Sequence, residues 1–187
     1  MSKATRIILA AMLCVFLVGA ANAVNLTYTE TAVVSGTVGA TNFSNALITI
    51  TESADTSGVY VYGGPGYYTN PGLVTFSIAG IGSGTLTGAY GVFASPYPAA
   101  GFWDGLGDSI LDTVNATLGT YDLMTPIGPI TDSPFIRPDV NFTTSLGDLN
   151  IQDAGQATFS AVGVPEPCSL ILLATGLVGF AIRKQRK

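Results

Sequence analysis

Ala46-Leu47-Ile48-Thr49-Ile50-Thr51-Glu52 decides the fold class. From Ile48 onward apolar and hydroxyl-bearing residues alternate, with Ile48 and Ile50 on one face and Thr49 and Thr51 on the other. A period of two belongs to a β-strand buried on one side, because successive side chains point to opposite faces. Downstream, Val59-Tyr60-Val61-Tyr62 is β-branched and aromatic, and it stops at the turn cluster Gly63-Gly64-Pro65-Gly66. Residues 73–78 place Val74, Phe76 and Ile78 on one face. Shorter strands are expected at 26–29, 32–37, 85–87, 90–93, 121–124, 140–144 and 157–162. Roughly ten short strands with frequent turn signals predict an all-β domain, an antiparallel β-sandwich or jelly roll. One short helix is expected at 109–116.

The rest of the chain is unusual in its charge. Of 187 residues, 48% are hydrophobic and only 10% charged, against a usual ~25%. Mean hydropathy is +0.47, which points to apolar segments destined for a membrane. There is no histidine, which excludes a Ser-His-Asp triad, a Cys-His dyad and any His-ligated zinc. The seven basic residues are Lys3, Arg6, Arg137, Arg183, Lys184, Arg186 and Lys187. Between Val24 and Val164 only Arg137 stands against eleven acids, a net charge of −10. Such a body repels DNA, RNA and acidic polysaccharides, so no nucleic-acid partner is expected.

Two apolar runs flank this body. Residues 7–21 are uncharged, preceded by Lys3 and Arg6 and followed by Ala21-Asn22-Ala23. A basic start, a short apolar stretch and an A-x-A end describe a secretory signal peptide handled by the translocon. Cleavage is expected after Ala23, leaving Val24 as the new terminus. The second run, 168–182, has fifteen residues. As a helix it is ~22 Å long, short of a ~30 Å hydrocarbon core. It is expected to be a single C-terminal transmembrane helix, with Arg183, Lys184, Arg186 and Lys187 as the cytoplasmic stop. Cys14 leaves with the signal peptide and Cys168 sits at the membrane boundary. The exported body therefore contains no cysteine and must fold on its core alone.

Body and helix are joined by Val164-Pro165-Glu166-Pro167-Cys168. Each proline lacks an N–H and drives the residue before it toward an extended conformation. Pro167 can open the helix that follows. The peptide is thus expected to be extended and accessible at the outer membrane surface. Pro165-Glu166-Pro167, then an apolar helix, then Arg183-Lys184-Gln185-Arg186-Lys187, resembles the PEP-CTERM sorting domain. That resemblance implies an exosortase substrate of a Gram-negative bacterium, whose tail a membrane cysteine protease or transpeptidase removes. It divides the chain into a signal peptide at 1–23, an exported β-rich domain at 24–163 and a sorting tail at 164–187.

Chemistry within the body is sparse. Asp104, Asp108 and Asp112 are spaced i, i+4, i+8, so a helix would set them on one face. Ca²⁺, which takes 6–8 oxygen ligands, would relieve their repulsion, making calcium the one candidate cofactor. In the competing reading Gly105 and Gly107 form a loop, Asp108 caps the helix and only Asp112 lies inside it. With eleven acids, some pair suited to glycoside hydrolysis is inevitable by number alone. Trp103 beside Phe102, with Tyr60, Tyr62, Tyr67 and Tyr68, forms either a stacking surface for sugars or part of the core. Gly80-Ile81-Gly82-Ser83-Gly84 lacks the strand-to-helix setting of a phosphate loop. Two readings follow. One is a non-catalytic cell-surface or extracellular-matrix protein, retained near the envelope or exopolysaccharide. The other is a secreted carbohydrate-binding module or weak glycoside hydrolase.

Overall fold

The alternation around Ile48 extends in both directions. The computed structural model describes residues 23–164. In it, strand β2 runs over Thr41–Asp55 with Ala46, Ile48, Ile50 and Glu52 turned inward. Strand β1, Asn25–Val38, does the same with Leu26, Tyr28, Glu30, Ala32 and Val34. The two separate strands expected at 26–29 and 32–37 are this one strand. Ala21, the Pro165-Glu166-Pro167 motif, the 168–182 helix and the basic residues from Arg183 to Lys187 lie outside the described residues. Ala23 and Val24 lie inside them, immediately before β1. The Val24 N–H donates to Thr56 Oγ1 at 2.9 Å, and the Thr56 N–H returns a bond to the Val24 carbonyl at 3.0 Å.

Nine further strands follow: β3 (Tyr60–Val61), β4 (Tyr68–Pro71), β5 (Thr75–Ile78), β6 (Gly82–Thr85), β7 (Gly91–Ser95), β8 (Ala99–Trp103), β9 (Ser109–Val114), β10 (Ile127–Phe135) and β11 (Leu149–Gly163). All pairings are antiparallel. The spatial order is β3-β4-β7-β8-β9-β10-β11-β1-β2-β5-β6. Strand β10 joins what a sandwich would keep as two sheets. Its first part, from Ile127 to Asp132, pairs with β11, and Ser133 to Phe135 pair with β9. Pro129 lies in the irregular step between Ile127 and Ile130, where a missing donor leaves no gap in the ladder.

The single sheet curls until its two halves face each other. Thr113 of β9 donates to Glu30 of β1 at 2.6 Å, and the Val92 N–H of β7 donates to Glu52 of β2 at 2.8 Å. Between the halves lies one core that includes Tyr28, Ile48, Ile50, Phe102, Leu111 and Phe159. Each such side chain contributes ~1.5–3 kcal/mol by leaving water, which suits a domain without disulfides.

Several segments differ from expectation, each for a local reason. Residues 109–114 are a strand and not a helix, because β8 and β10 supply partners on both sides. A short 3₁₀ turn, Ala116–Thr120, follows. Residues 121–124 form no strand, since Leu123 has φ 63° and turns the chain. The Leu123 side chain is buried, and its carbonyl accepts the Tyr28 hydroxyl at 2.7 Å. Residues 140–144 make only isolated bridges, Phe142 to Leu149 and Thr144 to Leu86. Asn150 takes the Pro138 and Val140 carbonyls with its side-chain amide, in place of a ladder. Among the described residues no helix is long and apolar enough to cross a membrane.

Among the described residues one core runs from Leu26 to Ala161 and joins both halves of the sheet, so the fragment 24–164 is expected to fold alone. Far-UV circular dichroism should show a β spectrum with one cooperative melt. Phe159 is fully buried against Tyr121, ring centroids 5.9 Å apart. Phe159→Ala should cost ~3–5 kcal/mol in urea denaturation.

Candidate functional site

The turn cluster Gly63-Gly64-Pro65-Gly66 closes the β3–β4 hairpin. The Tyr62 N–H donates to the Tyr67 carbonyl at 3.0 Å and the Gly64 N–H to the Tyr62 carbonyl at 2.9 Å. Two tyrosines are thereby brought to one side of the sheet. Directly paired residues share a face, so Thr69, Phe93, Gly101, Asp112 and Phe135 form one row across β4, β7, β8, β9 and β10. Trp103 stands beside this row, opposite Gly91. Its indole N–H donates to Thr69 Oγ1 at 3.0 Å, and the Thr69 hydroxyl donates in turn to the Val92 carbonyl at 3.1 Å.

At Phe93 and Trp103 a cleft of about 440 Å³ opens, formed by Tyr62, Tyr67, Tyr68, Phe93, Ser95, Trp103 and Ser109 with three small neighbours. Tyr62 meets Trp103 edge-on, centroids 4.7 Å apart at 78°. Phe93 lies 5.9 Å from the Trp103 ring. Tyr67 meets Tyr97 at 6.0 Å and 65°. Of the aromatic group read from sequence, Trp103, Tyr62, Tyr67 and Tyr68 come together here. Phe102 faces the core and Tyr60 stands exposed on β3. Phe93 and Tyr97 were not part of that reading. Phe93 is legible only through its register with Thr69, and Tyr97 only through the loop after β7.

The three aspartates do not share a helix face. Asp104 folds its loop, its Oδ1 accepting from the N–H groups of Leu106, Gly107 and Asp108 at 2.8, 3.0 and 3.0 Å. Asp108 pairs with Arg137 at 2.6 Å. Asp112 is buried on β9 over Gly101, where an added Cβ would meet its Oδ1 at 2.7 Å. Among the described residues no three carboxylates gather as a metal-holding group.

Of the three acids that burial affects most, sequence reading picked out Asp112, for a different role, and missed Glu30 and Glu52. Glu30, Glu52 and Asp112 are 0%, 1% and 2% exposed. Each has one oxygen without a hydrogen-bond partner: Glu30 Oε2, Glu52 Oε1 and Asp112 Oδ1. Burial pushes the Glu52 carboxyl up from 4.5 to about 8, against the pull of the Val92 N–H. Burial also raises Glu30 well above its ordinary value, partly offset by the Thr113 hydroxyl and reinforced by the Asp112 charge. Burial does the same to Asp112, with the Ser109 hydroxyl opposing. The signal was present in the period: Glu52 follows Ile48 and Ile50 at spacing two, and Glu30 follows Leu26 and Tyr28.

Fold and site together describe an acidic, lysine-free, curled β-domain with an aromatic cleft on its outer face. Residues 163–187 of the chain match the family described as the PEP-CTERM protein-sorting motif. That motif implies export and a membrane-anchored signal addressed to an exosortase. No curated protein and no solved structure matches the chain.

The buried acids set a pH dependence. Their folded pKa values lie above the unfolded ones, so the native state binds more protons. The stability this provides is fully present below about 4.5 and is lost as pH rises through about 8 for Glu52. Urea midpoints should therefore fall from pH 5 to pH 9. Glu52→Gln keeps an acceptor for the Val92 N–H but cannot ionise, so its midpoints should fall less steeply over the same range.

Proposed function

We propose that this protein is an exported, non-catalytic cell-surface or extracellular-matrix protein, held first in the inner membrane by its tail and released by an exosortase. One observation carries the reading. The sorting match begins at Gly163, and Gly163 is the last residue of β11. The last backbone bond of the fold, Val164 N–H to the Asn25 carbonyl at 2.8 Å, precedes Pro165, which has no N–H to carry the ladder further. Removal of the tail beyond Val164 thus takes away none of the strands of the described residues. The partners of this reading are the translocon, the exosortase, the membrane through helix 168–182, and an exopolysaccharide matrix.

The non-catalytic part is supported by the placement of the acids. Glycoside hydrolysis needs two carboxyl groups across an open site, ~5–9.5 Å apart. The cleft is lined by no acid, and Glu30, Glu52 and Asp112 are shut off from solvent. The carbohydrate-binding alternative is favoured by the aromatic cleft, without the hydrolase activity attached to it.

In an exosortase-positive Gram-negative host, intact mass should show mature protein that starts at Val24 and lacks the basic end. Replacing both Pro165 and Pro167 by Ala should let helix extend into the linker, so that uncleaved precursor accumulates in the inner membrane. Wild-type protein that keeps its sequence through Lys187, with or without the exosortase, would overturn the reading and leave a plain membrane anchor.

A further inference from the structure

Sorting makes no use of the Tyr62–Trp103 cleft, and its lining has a consistent chemistry. Phe93 and Trp103 offer carbon surface. Trp103 has one N–H, and Thr69 already takes it, so a ligand meets only the ring. Ser109, Tyr62 and Tyr67 add hydroxyl-bearing residues to the same lining, while the Ser95 Oγ already accepts the Tyr97 N–H at 3.0 Å and Tyr68 also packs on the core. No lining side chain is charged. A pyranose has the same division, with C–H bonds forming an apolar face and hydroxyls forming a rim.

Size and charge narrow the ligand further. About 440 Å³ falls in the ~300–1,000 Å³ range of small-ligand clefts, far larger than a lone quaternary ammonium group requires. An acidic polymer is repelled by a body at −10, whereas a neutral one is not. The Tyr67–Tyr97 pair carries the aromatic run outward to Tyr97, which is 74% exposed. That extension suits a polymer over an isolated sugar.

We propose that this cleft binds a neutral polysaccharide, one hexose stacked against Trp103 and the chain running outward past Tyr67 and Tyr97. The inference rests on the proposed function only in taking the domain to be exported. Trp103 is the single tryptophan of the chain, so its emission reports on the cleft directly. Full-length protein in detergent micelles is titrated with dextran, laminarin, mannan and galactan, with alginate and choline chloride as charged controls. A saturable change in Trp103 emission is expected with at least one neutral polymer and with neither control. Tyr62→Ala, Tyr67→Ala and Tyr97→Ala should each weaken that binding by about three- to tenfold, the worth of one aromatic contact. Tyr97 is exposed enough that its variant keeps the wild-type melting midpoint. No saturable change with any neutral polymer, a change with alginate or choline alone, or variants that bind as tightly as wild type would overturn the proposal. The two readings fail separately. Protein that retains its tail in exosortase-positive cells yet binds the polymer refutes sorting alone, and protein that is cleaved but silent refutes the cleft alone.

Discussion

The pairing of the first strand with the last holds the rest of the structure in place. β1 lies between β2 and β11 for most of its length, with Leu26 opposite Gly163 and Val38 opposite Leu149. These three strands have 14, 15 and 15 residues, and every shorter strand is added outward from them. Because β1 and β11 are antiparallel neighbours, Val24 and Val164 leave the sheet side by side. The described domain is thus closed where its two ends leave it. The ladder, and not a disulfide, ties the two ends together.

That closure has to be stabilised with few charges. The inward faces of β1 and β2 each include a glutamate, and the curl of the sheet gives each one hydrogen bond from the opposite half. A half-satisfied carboxyl in an apolar interior is stable only when protonated. Gly72 packs directly on Glu52, leaving no space for a side chain there, so the carboxyl cannot swing out to water on that side. Each of these acids thus accepts one hydrogen bond between the halves, and their upward-shifted titration ties the curl to the proton concentration. Arg137, the only base between Val24 and Val164, is spent on the surface with Asp108 and Asp139.

The sequence revealed the elements that have a strong period and hid those that lack one. Ile48 and Ile50 named β2, and Val74, Phe76 and Ile78 named β5, because one face is apolar and the other hydroxylic. β8, Ala-Ala-Gly-Phe-Trp, has little intrinsic strand preference. It is a strand because Gly101 lets β9 approach, with the Leu111 carbonyl where a Cβ would stand. β9 was mistaken for a helix since Ser109-Ile110-Leu111-Asp112 fits a capped helical turn as well as a strand, and only its neighbours decide between them. β10 was hidden by Pro129 and Pro134, which ordinarily argue against a strand; Pro129 is tolerated in the irregular step between Ile127 and Ile130, and Pro134 just past the point where pairing passes from β11 to β9. Four of the cleft aromatics were legible as a group. Their meeting required the sheet register, which no local pattern contains.

The same register makes the cleft a firm surface on one side and an adjustable one on the other. The Trp103 ring is fixed by the Thr69 hydroxyl, which is itself tied to the Val92 carbonyl of the next strand. Its orientation is therefore set by three adjacent strands and costs little to hold when a ligand arrives. Tyr62 and Tyr67 stand instead on either side of the glycine-rich turn, where Gly63 and Gly66 have φ 71° and 86°. An added Cβ at Gly63 or Gly64 would touch nothing within 4 Å, so that half of the turn is open, whereas Gly66 lies against Pro96. A stacking platform set by the sheet, faced by two tyrosines on a hairpin with a half-open turn, accepts flat apolar faces of differing length and substitution. Selectivity then comes from the hydroxyl groups at the lining and from the negative field of the whole domain, since the cleft itself has no charge with which to choose.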